Sequence, residues 1–487
     1  MTKSIAIIGG GIAGLSTGIY ARMNGFETDI YEMHSISGGL CTAWKDHGFT
    51  FDGCLHWLTG SSPESEYNKL WQEIGAVQNR WFHNYDRYSQ AMDKEGNIFN
   101  SWADIEKLRA EMIRLAPGDK KHIDRIIRDI RKLMKNDLPA EVRISNLLRT
   151  LRALRIIYKY RKPVRDLAAG FTNPVMRNLF LKSFDWGDMC SAFVLWTLAL
   201  FAKGDGGYPL GGSLPFIQAV EKRYLDLGGR IHFHSKVEKI ITEGNKAIGL
   251  ILKDKGDIKA DIVISAADGY STIFEWLGGK YVSPSLQKIY NSYKPFPPLV
   301  FVSLGINGTY PDTPHNLNFD LKQPFRIGPD EIESLFFKNY TFDPSMAPPG
   351  KCVFTLMIST NFEYWKNLSE NREAYLAEKK RVGEEVIKSL GQVFPDLPRK
   401  VEVVDVATPT TFVRYTGNFR GSYQGWLLDK KALSKQIPQI LPGLENFYMA
   451  GQWVSAGGGL PSGLITGRNA IKKICKKEKV KFVTSRD

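Results

Sequence analysis

The start of the chain alternates between apolar runs, a glycine cluster and a helical pattern. Ser4–Ile8 is a short apolar run rich in isoleucine, which predicts a buried parallel strand. A helical pattern follows to about Asn24, and Gly25 ends it. Glu27–Tyr31 predicts a second strand, which leads directly to Glu32. The order is therefore strand, glycine turn, helix, strand and acidic residue.

Glycines fill the turn between the first predicted strand and its helix. A dinucleotide site needs glycine for a tight turn, for close backbone approach to a pyrophosphate and for helix–strand packing. The helix N-terminus then offers free N–H groups and a positive dipole end. Glu32 lies 21 positions after Gly11, where a carboxylate can accept hydrogen bonds from ribose hydroxyls. We predict a dinucleotide site that includes Gly9, Gly11, Ile12, Ala13, Gly14 and Glu32.

A second pair of glycines, Gly38 and Gly39, precedes Leu40 shortly after the acidic residue. An ordinary turn explains this pair taken alone, but a second close approach to the dinucleotide also requires positions without side chains. Together with the first motif, the pair favours FAD, bound extended across the domain, over NAD. Phe51–Gly53 predicts a turn that leads to His56.

The middle of the chain changes to amphipathic helical periodicity. Helices are predicted at Ile105–Leu115, His122–Met134 and Ile144–Tyr160. Leucines and isoleucines of the third helix are interleaved with many arginines and lysines, which is typical of a helix lying on an anionic membrane surface. A surface helix with a solvated cationic side explains the pattern equally well. Met189–Ala202 is the most apolar run, too short to span a bilayer, and is predicted as a buried helix or the wall of an apolar tunnel.

The chain then returns to alternating helix and strand. A helix is predicted at Ser213–Leu227, followed by strands at Arg230–His234, Val237–Thr242, Ala247–Lys253 and Asp261–Ser265. Mixed sequence follows, with strands predicted at Leu299–Gly305, Val353–Ser359 and Val401–Ala407, and a long helix near Glu370–Leu390. Thr408–Trp426 predicts a loop, which lies near a ligand or is merely a connector. Asn446–Ala450 predicts a last strand, followed by the glycine-flanked start of a helix that ends near Lys476.

These elements predict an α/β fold with a discontinuous Rossmann-type FAD-binding domain, a mixed α+β substrate domain and an inserted helical region. The FAD-binding segments are expected at residues 1–101, 205–274 and 434–480. The helical region is expected at 102–204 and the substrate domain at 275–433.

Composition and charge indicate the protein's partners and its place in the cell more than its reaction. A formal charge of +14 fits an anionic membrane surface or simple solubility, and no recognised reader module favours nucleic acid. The five cysteines show no metal-ligand spacing, so we expect no metal site and reduced thiols. The first strand begins at Ser4, which leaves no room for a cleavable signal peptide. A cytoplasmic protein is therefore expected, either free or peripheral on the inner face of a membrane.

The motifs in this order resemble the flavin-containing amine oxidase superfamily, and within it the branch of phytoene desaturases, carotenoid isomerases and retinol saturases. The resemblance implies non-covalent FAD, with backbone of the Val237 strand at the adenine. It also implies that the closing glycine motif lies along the ribityl chain and ring. Gln452 stands where this motif commonly has an acidic residue, and Gly457–Gly463 contains no cysteine for a covalent flavin. The further cofactor residues so predicted are Gly38, Gly39, Leu40, His56, Val237, Ala266, Gly451, Gln452, Gly458, Leu460 and Pro461.

The resemblance implies hydride chemistry on carbon–carbon bonds of an apolar polyene, carotenoid, retinoid or lipid, by desaturation, saturation or cis–trans isomerisation. His56 is the preferred acid/base candidate, a structural histidine being the alternative, and Tyr415 and Tyr423 are weaker candidates. No second Rossmann motif indicates a bound nicotinamide, so the external electron acceptor or donor stays open. Two alternatives remain: a flavin amine oxidase acting on a soluble amine, and a non-catalytic flavin-bound scaffold.

Overall fold

The computed structural model describes residues 2–136, 146–184, 187–434 and 437–485, and the elements below belong to these residues. The strands are β1 (Ser4–Ile8), β2 (Glu27–Tyr31), β3 (Ala43–Asp46), β4 (Phe49–Asp52), β5 (Phe82–His83), β6 (Arg87–Met92), β7 (Ile98–Trp102), β8 (Tyr208–Pro209), β9 (Arg230–His232), β10 (Val237–Glu243), β11 (Lys246–Leu252), β12 (Gly256–Lys259), β13 (Ile262–Ser265), β14 (Leu299–Ile306), β15 (Asn316–Ile327), β16 (Asp330–Asn339), β17 (Cys352–Ser359), β18 (Val401–Ala407) and β19 (Phe447–Met449).

The α-helices of the same residues are α1 (Ile12–Met23), α2 (Glu66–Glu73), α3 (Ile105–Leu115), α4 (Lys120–Lys135), α5 (Leu147–Lys159), α6 (Val164–Ala168), α7 (Pro174–Lys182), α8 (Ser191–Ala202), α9 (Ser213–Asp226), α10 (Pro284–Ser292), α11 (Phe362–Leu368), α12 (Arg372–Leu390), α13 (Pro409–Thr416), α14 (Lys430–Ser434) and α15 (Gly459–Lys477). Short 3₁₀ turns occur at Pro117–Asp119, Leu397–Arg399 and Phe419–Gly421, and a π-helical turn at Ser271–Trp276.

A parallel sheet joins strands from three distant parts of the chain, in the order β19-β13-β1-β2-β9. Ile5 of the central strand pairs with Ile262 on one side and Thr28 on the other. Strands β19, β13 and β1 are short, apolar and almost entirely buried, as expected inside a parallel sheet, whereas the edge strand β9 is largely exposed. The predicted α/β class is confirmed, because a parallel sheet assembled from three parts of the chain carries helices between its strands.

Glycines allow the helices to pack closely over this sheet. A Cβ atom on Gly463 of α15 would lie 2.6 Å from Ile12 Cγ2, and one on Gly467 would lie 2.7 Å from Thr17 Oγ1. On the other side of α1, a Cβ on Gly18 would lie 2.4 Å from the Tyr224 ring of α9. Side chains at these positions would separate the helices, so the glycines set how closely the two ends of the chain meet.

A second sheet, with the order β18-β14-β17-β16-β15-β6-β7, is antiparallel except where β15 runs parallel to β6. Leu317, Asn318 and Phe319 of β15 pair there with Gln90, Ala91 and Met92. Strands β6 and β7 precede the helical region in sequence, within the segment predicted for the FAD-binding domain. Their membership of the second sheet was not predicted, because a long-range parallel pairing leaves no local pattern in the sequence. The domain boundary at residue 101 stays a prediction.

The helical region packs around α8, which is buried as its apolar sequence predicts. Helix α5 is held against α4 by the buried carboxylate of Asp129, which accepts hydrogen bonds from Lys159 Nζ at 2.5 Å and the Tyr160 hydroxyl at 2.9 Å. Residues 144 and 145, the predicted start of this helix, lie outside the described residues. Across the described part of the chain, no helix combines the length and apolar character needed to cross a membrane.

The segment predicted as a loop at Thr408–Trp426 contains a helix instead. Thr408 and Thr411 cap the start of α13 reciprocally, each side chain bonded to the backbone of the other. Gly417, with φ of 67°, ends the helix in the left-handed conformation. The prediction of a loop was wrong because it rested on the glycines and aromatic residues that follow α13. The short capped helix before them was overlooked.

Replacing Gly14 with alanine should destabilise the protein, because the added Cβ would lie 1.9 Å from the carbonyl oxygen of Gly9. Overpacking of this kind typically costs about 1–3 kcal/mol. The midpoint of urea unfolding should therefore fall in Gly14→Ala. Gly118→Ala is the matched control, since nothing lies within 4 Å of its added Cβ. Equal midpoints for the two variants would contradict the packing role of Gly14.

Candidate cofactor and active site

A cavity of about 1380 Å³ runs from the carboxyl ends of the parallel strands to the face of the second sheet. The ends of β1 and β13, the N-termini of α1 and α15, strands β14 and β16, and helix α8 all contribute to its wall. Ligands bind to open α/β sheets at the carboxyl ends of the strands. The fold therefore places a cavity where a dinucleotide is expected and extends it beyond that site.

Glu32 organises the turn after β1. Its carboxylate accepts a hydrogen bond from Gly10 N at 2.7 Å and another from His34 N at 2.8 Å. Gly9 has φ of 94°, a left-handed conformation that favours glycine in this turn. Gly38 donates its N–H to Gly10 O at 2.9 Å, so the two glycine segments lie side by side. The carboxylate retains acceptor capacity for a ribose hydroxyl.

The start of each of two helices, α1 and α15, faces the cavity and lacks a side-chain cap. The N-cap residues are Gly11 and Gly458, and neither can supply a capping oxygen. A Cβ on Gly458 would lie 2.0 Å from Gln424 O, so the backbone there must be glycine. Free N–H groups at a helix start suit phosphate or developing negative charge. The N-terminus of α1 therefore suits the pyrophosphate of FAD. The N-terminus of α15 suits the electron-accepting end of the flavin ring.

The predicted cofactor residues meet around this cavity, with one exception. Gly14 does not line it and instead packs against Gly9, as described above. The predicted cofactor residues that line the cavity are Gly9, Gly11, Ile12, Ala13, Glu32, Gly38, Gly39, Leu40, His56, Val237, Ala266, Gly451, Gln452, Gly458, Leu460 and Pro461. Residues separated by several hundred positions in sequence thus form one wall.

The two tyrosines predicted as weaker acid/base candidates occupy different parts of the cavity. The Tyr415 ring lies 4.9 Å from the His34 ring, beside the ribose carboxylate, and its side chain is 45% exposed. Tyr415 thus lies near Glu32, the residue predicted to bind ribose, and its catalytic role stays a prediction. Tyr423 lines the cavity next to Gln424, whose side chain donates to Gly457 O at 2.8 Å. Tyr423 stays a candidate at the ring end.

His56 lines the cavity at a half-buried position. Burial, reinforced by the positive charge of Lys338, lowers the pKa of His56 well below its usual range. The imidazole is therefore neutral at physiological pH. The Tyr340 hydroxyl lies 3.5 Å from His56 Nδ1, and the Tyr85 hydroxyl donates to His56 O at 2.9 Å. A neutral imidazole held in this way can accept a proton but does not carry a charge into the cavity.

Three polar residues of the cavity were missed by the sequence predictions. Lys338 of β16 is only 2% exposed, with its Nζ 4.0 Å from the centroid of the Phe336 ring. Asn316 of β15 is buried, and its Oδ1 has no hydrogen-bond partner among the described residues. Burial raises the pKa of Asp268, at the end of β13, to about 6. The sequence did carry a signal for Lys338, which stands alone after two phenylalanines in a strand that was not predicted.

Comparisons with known proteins agree with this geometry. Residues 12–475 match the family described as flavin containing amine oxidoreductase. A chloroplastic prolycopene isomerase 2 from an Oncidium hybrid cultivar is 24% identical, over 86% of this chain and 74% of its own length. The all-trans-retinol 13,14-reductase of Danio rerio is 24% identical, over 92% of this chain and 82% of its own.

Solved structures of this fold include putrescine oxidase bound to putrescine. It superposes with a TM-score of 0.61 at 13% identity, over 98% of this chain and 99% of the other. The similarity extends over both sheets and the region between them. Together with the family match and the glycine-lined cavity, these findings establish that the chain belongs to the flavin-containing amine oxidoreductase family and is an FAD-dependent oxidoreductase.

Proposed function

We propose that this enzyme acts on carbon–carbon double bonds of a long, apolar conjugated polyene, by desaturation, saturation or cis–trans isomerisation. The observation that carries the proposal is the continuity of the cavity, which joins the uncapped helix starts of the cofactor site to an apolar compartment. Pockets for small ligands usually enclose about 300–1,000 Å³. The larger volume here accommodates a cofactor together with a substrate.

The apolar compartment is bounded by the second sheet and the helical region. Leu299 and Phe301 contribute from β14, and Phe193 and Trp196 contribute from α8. Ile157 of α5 also lines the cavity. Apolar side chains of this kind favour a hydrocarbon chain over a soluble amine, because an amine would lose its hydration against them.

Bound FAD supplies hydride transfer, and the residues of the chain position the substrate and handle protons. His56 is neutral, so it can accept a proton from, or relay one to, a carbon next to the reacting double bond. Lys338 lies close enough to lower the pKa of His56, and with Asn316 it adds polar groups to a largely apolar wall. The apolar side chains exclude water from the same region.

The relatives support this proposal through their own activities. One is named for the isomerisation of prolycopene and another for the reduction of all-trans-retinol at carbons 13 and 14. Both compounds are conjugated polyenes. The amine oxidase alternative draws on putrescine oxidase, whose likeness to this chain is confined to the fold.

We further propose that helix α5 lies on an anionic membrane surface and lets an apolar substrate pass directly into the cavity. Its exposed face carries an apolar stripe at helical spacing, made of Leu147, Leu151, Leu154 and Tyr158, with Leu148 beside it. Arg152, Arg155 and Lys159 are exposed around this stripe. An apolar stripe flanked by cations suits the interface of a bilayer. The same helix contributes Ile157 to the cavity.

The substrate class can be tested with the FAD-loaded protein under anaerobic conditions. In desaturation a carotenoid or retinoid should reduce oxidised FAD, and in saturation it should oxidise reduced FAD, so the flavin absorbance should change in both cases. In isomerisation the flavin absorbance should stay the same while the isomer ratio of the polyene shifts. Spectra and chromatography of the extracted polyene measure these outcomes. Putrescine is the control and should have no effect. Reduction by putrescine without any polyene reaction would favour an amine oxidase, and no reaction with either would favour a scaffold.

The His56→Gln variant should turn over the polyene roughly 100-fold or more slowly, because a positioned acid/base group typically contributes 10²–10⁴-fold. In the parent protein, the rate should not fall between pH 8 and pH 6.5, because the lowered pKa keeps His56 neutral there. Steady-state rates across pH and the FAD content per chain provide the measurement. His83→Gln is the control, since His83 does not line the cavity. Unchanged turnover in His56→Gln would remove it as the acid/base.

Replacing Leu148 and Leu151 with serine should weaken binding to vesicles that contain anionic lipid. Each buried leucine contributes roughly 1.5–3 kcal/mol, so the partition coefficient should fall at least about tenfold. Flotation at low salt measures it, and added salt should weaken binding of the parent protein. Leu225→Ser on α9 is the matched control, because Leu225 is similarly exposed but lies outside the helical region. Equal flotation of the two variants would contradict the role of α5.

A further inference from the structure

A pair of cysteines faces the cofactor cavity from the two sides of one hairpin. Strands β3 and β4 pair from Ala43 opposite Asp52 to Asp46 opposite Phe49, around a two-residue turn. Both turn residues, His47 and Gly48, have positive φ, which matches the twist of a tight hairpin. Beyond the ladder, Gly53 donates its N–H to Thr42 O at 3.0 Å. The next opposed pair is Cys41 and Cys54.

The register makes this pair suitable for a disulfide. Opposed residues of an antiparallel hairpin alternate between hydrogen-bonded pairs and closer pairs without hydrogen bonds, whose Cα atoms lie about 4.5 Å apart. The Thr42–Gly53 pair is hydrogen-bonded, so Cys41 and Cys54 fall at a closer site. Disulfides usually span Cα separations of about 4.4–6.8 Å. Both cysteines are reduced in this structure, and both line the cavity.

The two thiols differ in access and in proton affinity. Cys41 is 1% exposed, whereas Cys54 is partly exposed. The Cys41 Sγ lies 3.7 Å from Ser213 O. Contact with the Cys54 side chain, together with burial, raises the pKa of the Cys41 thiol well above its usual range. Cys41 is thus the poorer nucleophile at neutral pH, because only the thiolate reacts. Cys54 is the thiol that an oxidant in the cavity meets first.

We propose that Cys41 and Cys54 form a reversible redox couple in the cofactor cavity, which closes to a disulfide on reaction with a small-molecule disulfide. Cys54 Sγ attacks one sulfur of the reagent RSSR, giving a mixed disulfide and one RSH. Cys41 Sγ then attacks Cys54 Sγ and displaces a second RSH. One S–S bond breaks in the reagent and one forms in the protein, while two electrons and two protons pass from the cysteines to the two RSH products.

The disulfide would tie together two segments that both line the cofactor cavity. Cys41 directly follows Leu40, and Cys54 lies two residues before His56. The oxidation state of the pair would therefore be linked to the wall that contacts the cofactor. The proposal does not depend on the identity of the organic substrate, so it can fail or succeed independently of the polyene assignment.

The test uses the FAD-loaded protein, treated with glutathione disulfide, alkylated under denaturing conditions and digested with trypsin. Cleavage after Lys45 separates the cysteines, so the disulfide appears as peptides 23–45 and 46–69 linked together. Two of the five thiols should be lost to alkylation, and dithiothreitol should restore both. The absence of flavin fluorescence from the filtrate shows that FAD stays bound. A linked peptide found only in protein that has released FAD would overturn the proposal.

Two variants separate the roles of the thiols. Cys41→Ser should accumulate the glutathione adduct on Cys54, because the attack that removes it is lost. Cys54→Ser should show neither an adduct nor a linked peptide, with Cys41 alkylated after denaturation. Cys190→Ser removes another thiol that lines the cavity and should still give the linked peptide. A stable glutathione adduct on Cys54 in the parent protein, or five alkylated thiols after treatment, would also overturn the proposal.

Discussion

The close contact between helices α1 and α15 holds the cofactor site together. Gly463 and Gly467 of α15 lie against Ile12 and Thr17, where a Cβ atom would force the helices apart. Because these helices come from opposite ends of the chain, their contact also brings both uncapped N-termini to one cavity. Separating them would remove a dipole end from the cofactor and break the wall of the cavity, so packing and cofactor binding depend on the same glycines.

The second sheet and the helical region add a compartment for the proposed substrate to the cofactor site. Strands β14 and β16 supply apolar side chains and the buried Lys338, and α8 covers them from the opposite side. Helix α5 lies between the cavity and the solvent, since Ile157 lines the former while Leu151 and Tyr158 are exposed to the latter. The buried carboxylate of Asp129 fixes the rotation of this helix through Lys159 and Tyr160. One helix thus connects the proposed membrane surface with the proposed substrate path.

Local sequence patterns predicted much of the fold. Strands β1 and β2 and helix α3 begin and end where expected, because their periodicity and glycine boundaries act over a few residues. The long-range pairing of β6 with β15 was missed, since it joins residues that are more than two hundred positions apart. Helix α13 was missed for a local reason, its cap being a pair of threonines within a segment rich in glycine and aromatic residues.

For the site, the glycine spacing and Glu32 predicted a dinucleotide, because they are local requirements of phosphate and ribose. The second glycine pair and the resemblance then pointed to FAD rather than NAD. Only the tertiary structure decided which residues share the cavity. It placed Tyr415 against His34, packed Gly14 against Gly9, and brought Lys338 and Asn316 into the wall. It also placed Cys41 opposite Cys54, through a hairpin register that the spacing of cysteines does not reveal. The physical reason is that burial and proximity depend on contacts between distant segments, which no local pattern encodes.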